Sequence, residues 1–270
     1  MFSKKIIAIF LTICMIATFS GCAKEKSSAD DQISKLDEIK KEGKIVLGTA
    51  ADYPPFEFHK EINGKDTIVG FDIAIAKAIA EEIGVELEIK DMRFDGLLAA
   101  LVADKIDFII AGMNPTPERA KSVDFSKEYY VEEQRILVKK EEQDKFKTKE
   151  DLKGLKIGAQ KSSVQEGIAK DIEGADLKLL PKITDLVLEL TNNKVKAVIL
   201  SRPVAEAYVK SNDNLVSLDL SLGKEEGVAI AVNKGNEDLL EVINQTLDKL
   251  ISEGKIDQFI TEATELADQE

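Results

Sequence analysis

Histidine and cysteine are almost missing from this chain. His59 is the single histidine and Cys14 and Cys22 are the two cysteines in 270 residues. A structural zinc site draws its ligands from these residues, so none is expected. His59 stands beside Lys60 in the polar run HKEINGKD, which reads as a solvated turn rather than a catalytic centre. No Walker-A spacing and no GxSxG occurs, so two common enzyme signatures are missing. Lysine and arginine form no block beyond pairs, and the net charge is −13. Nucleic acid needs a basic footprint for its phosphates and is excluded as a partner. What the chain does have is apolar content, 44%, enough for a real core in one large domain or two modest ones.

The first 21 residues stand apart. Lys4 and Lys5 precede IIAIFLTICMIAT (6–18), a run of 13 residues that is short for a membrane span. FSGC (19–22) and the polar stretch AKEKSSADDQ follow. This is the pattern of a secretory signal peptide. The cysteine after two small residues resembles a bacterial lipobox, with Phe19 where leucine is usual. The resemblance implies that Cys22 is lipidated with palmitate-type chains and begins the mature protein; the alternative is ordinary signal cleavage nearby. Cleavage removes Lys4 and Lys5 and no acid, taking the charge from −13 to −15. It also removes Cys14, so no intrachain disulfide can form.

Residues 22–42 read as a tether and a short helix, SKLDEIKKEG, stopped by Gly43. Strands and helices then alternate. KIVLGTA (44–50) reads as a strand. FDIAIAKAIAEEIG (71–84) spaces Ile75, Ile79 and Ile83 four apart, as one face of a helix does. VELEIK (85–90) alternates as a half-buried strand. FDGLLAALVADK (94–105) reads as a helix and IDFIIAG (106–112) as a buried strand. In the second half QRILVKK, LKIGAQ, DLKLLP, VKAVILS and EGVAIAVNK read as strands. SVQEGIAKDIE, TDLVLELTNNK (capped by Thr184), RPVAEAYVKS, NEDLLEVINQTLDKLISEG and KIDQFITEATEL read as helices. Such alternation predicts an α/β fold with mainly parallel sheets flanked by helices. Binding sites in such folds lie beyond the carboxyl ends of the strands.

The run AGMNPTPER (111–119) leaves a buried strand through small and rigid residues. Thr116 is placed as a helix cap and Pro117 as the first helical residue, where proline sacrifices no hydrogen bond. The amides at that end would favour an anion, and Arg119 adds two parallel donors for a carboxylate. Gly112 keeps the backbone open to a ligand.

ADYPPFEF (51–58), VGFDIAIAKAIA (69–80), FDGLLAAL (94–101), DFIIAGMNPTPERAKSVDFSKEYY (107–130), DLKGLKIGAQKSSVQE (151–166) and KAVILSRPVAEAYV (196–209) occur in this order. Together they resemble the polar amino-acid-binding family of extracytoplasmic solute-binding proteins, over nearly all of 43–262. The resemblance implies a two-lobe, type II periplasmic-binding-protein fold. Lobe 1 would comprise 43–129 and 227–265, lobe 2 would comprise 134–222, and 130–133 and 223–226 would be hinge crossovers. The ligand would sit between the lobes.

Carried over residue by residue, Arg119 holds an α-carboxylate. Tyr53 and Phe94 sandwich the ligand side chain. Asn114 stands where Ser or Thr is common. Ser163 and Gln165 lie in KSSVQE, at a strand-to-helix turn suited to a carboxylate; the family's usual Gly and Thr pair falls near Ser162–Val164, where Val164 removes one hydroxyl, and the alternative for Ser163 is a helix cap only. Two departures matter more. Ser201 stands where an acid often binds the α-amine. Ala50 stands where members that bind basic or amide side chains tend to carry Asp, which argues against such ligands held in the usual way. Asp52, Glu225 or Glu226 could take the amine, neutral acceptors could hold it, or the ligand could be an amine-free carboxylate. Arg93 adds a positive charge close by, or is solvated.

The expectation is therefore a monomeric, non-enzymatic amino-acid receptor without cofactor. Cys22 would anchor it outside the membrane, where it feeds an ABC permease and its ATPase. The rivals are an anchored sensor or adhesin and an enzyme on the same scaffold.

Overall fold

A computed structural model describes residues 33–220, 222 and 226–269. The signal segment and Cys22 lie outside them, as do Glu225 and the side chain of Glu226. The chain begins with α1 (Lys35–Glu42), whose amide is capped by Ser34 and whose end is turned by Gly43 at φ +72°. Only a residue without Cβ takes that conformation readily.

The first sheet is built from β1 (Lys44–Thr49), β5 (Glu86–Asp91), β6 (Phe108–Ile109), β7 (Val123–Glu132) and β13 (Glu226–Asn233), in the order β5-β1-β6-β13-β7. The pairs β5–β1 and β1–β6 are parallel, while β13 runs antiparallel to both its neighbours. The second sheet contains β8 (Gln134–Lys139), β9 (Lys156–Gln160), β10 (Asp176–Leu180), β11 (Ala197–Ser201) and β12 (Leu215–Leu218), in the order β10-β9-β11-β8-β12. Here β8 is the strand opposed to its neighbours. Each sheet is mixed rather than mainly parallel, with two parallel and two antiparallel pairings, because one strand of five is reversed; in each that strand is the first after the chain arrives from the other sheet.

Helices cover both faces. In β1, Ile45 and Leu47 face the core that includes α2 (Phe71–Ile83) and α7 (Glu237–Ser252), while Val46 faces α3 (Leu97–Val102) on the other side. β11 divides the same way between Val198 and Leu200 on one face and Ala197 and Ile199 on the other. Burial on both faces explains why these strands read as continuous apolar runs. Phe56, Phe71 and Phe108 are fully buried, each contributing about 3 kcal/mol by area removed from water. The remaining helices are α4 (Val164–Lys170), α5 (Ile183–Thr191), α6 (Arg202–Lys210) and α8 (Lys255–Ala267).

Several local expectations change. No α-helix starts at Pro117. The chain makes a turn and one 3-10 turn, Arg119–Lys121, although the Thr116 hydroxyl does accept from the Arg119 amide at 3.3 Å. The helix-dipole argument for an anion therefore falls away, because one turn sums too few peptide dipoles. α5 begins at Ile183 with Lys182 at the cap position, so Thr184 does not cap it. Residues 94–96 form a 3-10 turn ahead of α3. Only Phe108–Ile109 of the predicted strand joins the ladder, though Ile106–Ala111 stays buried. A small meander of β2 (Asp52–Tyr53), β3 (Glu57–Ile62) and β4 (Lys65–Val69) was not foreseen. Its hairpin turns at Asn63–Gly64, both at positive φ, the conformation that an Asn-Gly pair favours. Nor were β7 and β12 foreseen.

Candidate functional site

The segments that follow β1, β6 and β9 meet in a cleft between the two sheets. Ala50, Tyr53, Glu57, Phe94, Ala111, Gly112 and Asn114 line it from the first lobe, and Gln160, Ser163, Val164 and Gln165 from the second. Room for a water-sized sphere in it amounts to only about 10 Å3, so the cleft is tight in this structure. Thr49 Oγ1 donates to the Ile110 carbonyl at 2.9 Å, tying the end of β1 to the segment after β6.

Arg119 is 8% exposed. Its guanidinium donates to the Asn114 carbonyl at 2.7 Å and, across the cleft, to the Ser162 carbonyl at 2.9 Å. The guanidinium carbon lies 5.4 Å from the centre of the Phe94 ring, within cation–π range. Asn114 donates through Nδ2 to the Gly227 carbonyl at 3.0 Å, which ties the loop to β13. Gly112 is at φ +52°, and a Cβ there would come within 2.9 Å of the Tyr53 ring. Glycine is thus required both by the backbone and by the aromatic wall. The Tyr53 ring is buried against Phe56, with centroids 5.2 Å apart.

In the second lobe Ser163 caps α4: its hydroxyl accepts from the Glu166 amide at 3.2 Å and donates to the Gln160 carbonyl at 2.7 Å. Gln165 donates to the Tyr53 hydroxyl at 3.3 Å and to Gln134 Oε1 at 2.8 Å. Gln134 in turn donates to Glu132 Oε1 at 3.1 Å. Ser201 is fully buried near the Tyr53 hydroxyl, and its Oγ has no hydrogen-bond partner of ordinary geometry among the described residues.

Glu57, Glu132 and Gln134 did not emerge from the sequence. Glu57 is fully buried, and neither carboxyl oxygen has a hydrogen-bond partner of ordinary geometry among the described residues. Burial pushes this carboxyl well above the usual range, and the neighbouring Asp72 carboxylate pushes the same way. Asp72 itself accepts from the Gly112 amide at 2.9 Å and from the Tyr129 hydroxyl. A glutamate between two buried phenylalanines fits strand alternation, so the local pattern turns it towards solvent. The meander instead folds it inward.

Asp52 does not line the cleft. Its carboxylate accepts from the Ile183 amide at 2.6 Å, at the start of α5, and its carbonyl accepts from the Tyr208 hydroxyl at 2.9 Å. Burial pushes its carboxyl up to about 6, against the pull of the Ile183 and Thr184 amides. It clasps the two lobes and is not available to an amine. Arg93 is exposed and pairs with Asp95 at 2.9 Å. His59 sits on the exposed hairpin between Asp66 and Asp91, away from the cleft lining.

The fold and the cleft define a two-lobe α/β binding protein. The chain belongs to the bacterial extracellular solute-binding proteins, family 3, whose model matches residues 45–263. The arginine-binding extracellular protein ArtP of Bacillus subtilis is 35% identical over 260 residues, covering 94% of this chain and 96% of that protein. A probable histidine-binding protein of Campylobacter jejuni is 35% identical over 217 residues, 80% of this chain and 83% of its own. The crystal structure of AbpA, an amino acid ABC transporter substrate-binding protein from Streptococcus pneumoniae bound to L-arginine, matches with TM-score 0.84 and 39% identity. That match spans 87% of this chain and all of that one. The family is one of solute binding, so the enzymatic reading gains no support.

Proposed function

We propose that this chain is the receptor of an amino-acid ABC importer and that its ligand carries a cationic side chain, with L-arginine the first candidate. The observation that carries this is the make-up of one small cleft. A fully buried carboxyl, Glu57, stands in its first-lobe wall with Tyr53 and Phe94, and a buried guanidinium, Arg119, packs against the Phe94 ring. Arg119 takes the α-carboxylate, with Asn114 and the Gly112 backbone beside it, and Ser163, Gln165 and Ser201 close from the other lobe. The cation lies between the rings and pairs with Glu57. This carboxyl does the work of the Asp missing at Ala50, from a different place in the chain. Relatives that bind arginine or are named for histidine support a basic ligand.

Residues 43–129 with 227–265 and residues 134–222 act as the two lobes, hinged at 130–133 and 223–226, and close on the ligand. The receptor is a monomer that hands its ligand to a permease driven by its ATPase. Cys22 is lipidated and holds it at the outer face of the membrane. Calorimetry across the proteinogenic amino acids tests the ligand class: basic members should bind in the micromolar range or tighter, about −8 kcal/mol or better. Tighter binding of an acidic or amine-free ligand would refute it. Labelling cells with a clickable palmitate tests the anchor: the label should be lost in Cys22→Ala, and a wild-type chain without label rejects lipidation.

A further inference from the structure

The amino-acid reading above, on which this inference rests, brings an α-ammonium into the cleft and requires acceptors for it. Asp52 is committed to α5, Asp72 to Gly112 and Tyr129, and Glu57 to the side-chain end. Glu132, the last residue of β7, is 2% exposed and stands where the chain crosses between the lobes. Its negative charge bears on both the Tyr53 hydroxyl and Glu57.

An ionised carboxylate only accepts hydrogen bonds. Gln134 must therefore turn its NH2 to Glu132, which it does at 3.1 Å, and so turns its carbonyl to Gln165. Gln165 meets that carbonyl with its own NH2 at 2.8 Å, and the same nitrogen donates to the Tyr53 hydroxyl at 3.3 Å. Both hydrogens of this amide are then used. What Gln165 has left to offer the cleft it lines is a carbonyl oxygen. One acid thus sets the sense of two amides in series and delivers an acceptor. Ser201 pairs directly with Gln134 in the strand register, and it stands by the Tyr53 hydroxyl that Gln165 meets.

We propose that Glu132 is the positioning residue for the ligand's α-ammonium: through Gln134 it holds Gln165 as an acceptor, and it supplies the negative charge that Ser201 cannot. The chemistry recognised is a primary ammonium beside a carboxylate.

The test compares L-arginine with 5-guanidinopentanoate, the same molecule without its α-ammonium, by calorimetry on the detergent-purified full chain. The wild type should prefer arginine by at least about 10-fold. In Glu132→Gln the acid becomes an amide that can reverse the chain. Arginine binding should weaken by about 10- to 100-fold while 5-guanidinopentanoate changes less than about 3-fold. Equal weakening of both ligands, or of neither, overturns the proposal and leaves the receptor reading standing. Should ligand-free melting show that the variant does not fold, the wild type decides: equal affinity for the two ligands overturns it. A wild type that binds neither overturns the receptor reading as well.

Discussion

The two lobes share one strand order yet bring different chemistry to the cleft. In both sheets the reversed strand is fourth, β13 in one and β8 in the other. The cleft wall of the first lobe holds a carboxyl and two aromatic rings, from Glu57, Tyr53 and Phe94, with the Arg119 guanidinium packed against Phe94. The wall of the second lobe is lined by Gln160, Ser163, Val164 and Gln165, all neutral. Equivalent folds therefore do not carry equivalent sites; the site belongs to the loops after the strands. The division also has an energetic logic. Charges are costly to strip of water, so gathering them on one wall leaves the facing wall cheap to dock.

Breaking the charged wall should have the largest effect. Arg119→Ala is expected to lose about 2–5 kcal/mol of ligand binding, because a buried carboxylate is left without its partner. It also removes the donor to the Ser162 carbonyl, one of the bonds that join the lobes. Calorimetry giving near-wild-type affinity would remove Arg119 from the site. Next comes the acid on the same wall. Glu57→Gln should weaken arginine by about 10- to 100-fold and leave L-citrulline, its uncharged counterpart, nearly unchanged. Equal losses for both would make Glu57 a structural residue only. The sign with pH follows from burial. A carboxyl held above its usual range takes up a proton first, so arginine affinity should fall as pH drops from 7 to 5. Glu57→Gln should flatten that fall.

Both walls were legible in part: Ser163 and Gln165 were named on the neutral one, and Glu57 was missed on the charged one. Arg119, Tyr53, Phe94, Gly112 and Asn114 lie in motifs whose composition is unusual; the last four line one cleft, and Arg119 packs against Phe94. The alternating elements were legible because strands buried on both faces and helices with a four-residue stripe leave clear patterns. The meander of β2 to β4 was not, because its short strands are held by the turn at Asn63–Gly64 and by packing rather than by periodicity. Glu57 was lost with it. Glu132 was missed because it falls in the polar crossover 130–133, and Gln134 because it merely opens the strand QRILVKK; the pairing of β7 with β13 and of β8 with β11 buries them. Asp52 was legible as an acid near the cleft and was one of three offered as a partner for the amine. Nothing local says that it reaches across to α5.

That clasp gives the smallest effect, and one that joins the two walls directly. Asp52 belongs to the first lobe and the Ile183 amide to the second, so their bond exists only when the lobes meet. The Asp52 carboxyl is raised from 3.8 to about 6. Between those values the folded, closed protein holds more protons at this site than the unfolded chain. Stability contributed here therefore increases as pH falls from 7 towards 4, and is lost as pH rises through 6. For a group of this kind the change between pH 7 and pH 5 is about 1 kcal/mol. His59 responds in the same direction: desolvation pulls its pKa down, but bonds to Asp66 and Asp91 outweigh this and raise it. Asp72, also pushed up by burial, adds to the trend. The informative quantity is hence the difference between wild type and Asp52→Asn, in which those two groups cancel. The wild type should gain melting temperature relative to the variant as pH is lowered from 7 to 5. Parallel melting curves across that range would show that Asp52 is solvated and that the lobes are not clasped there.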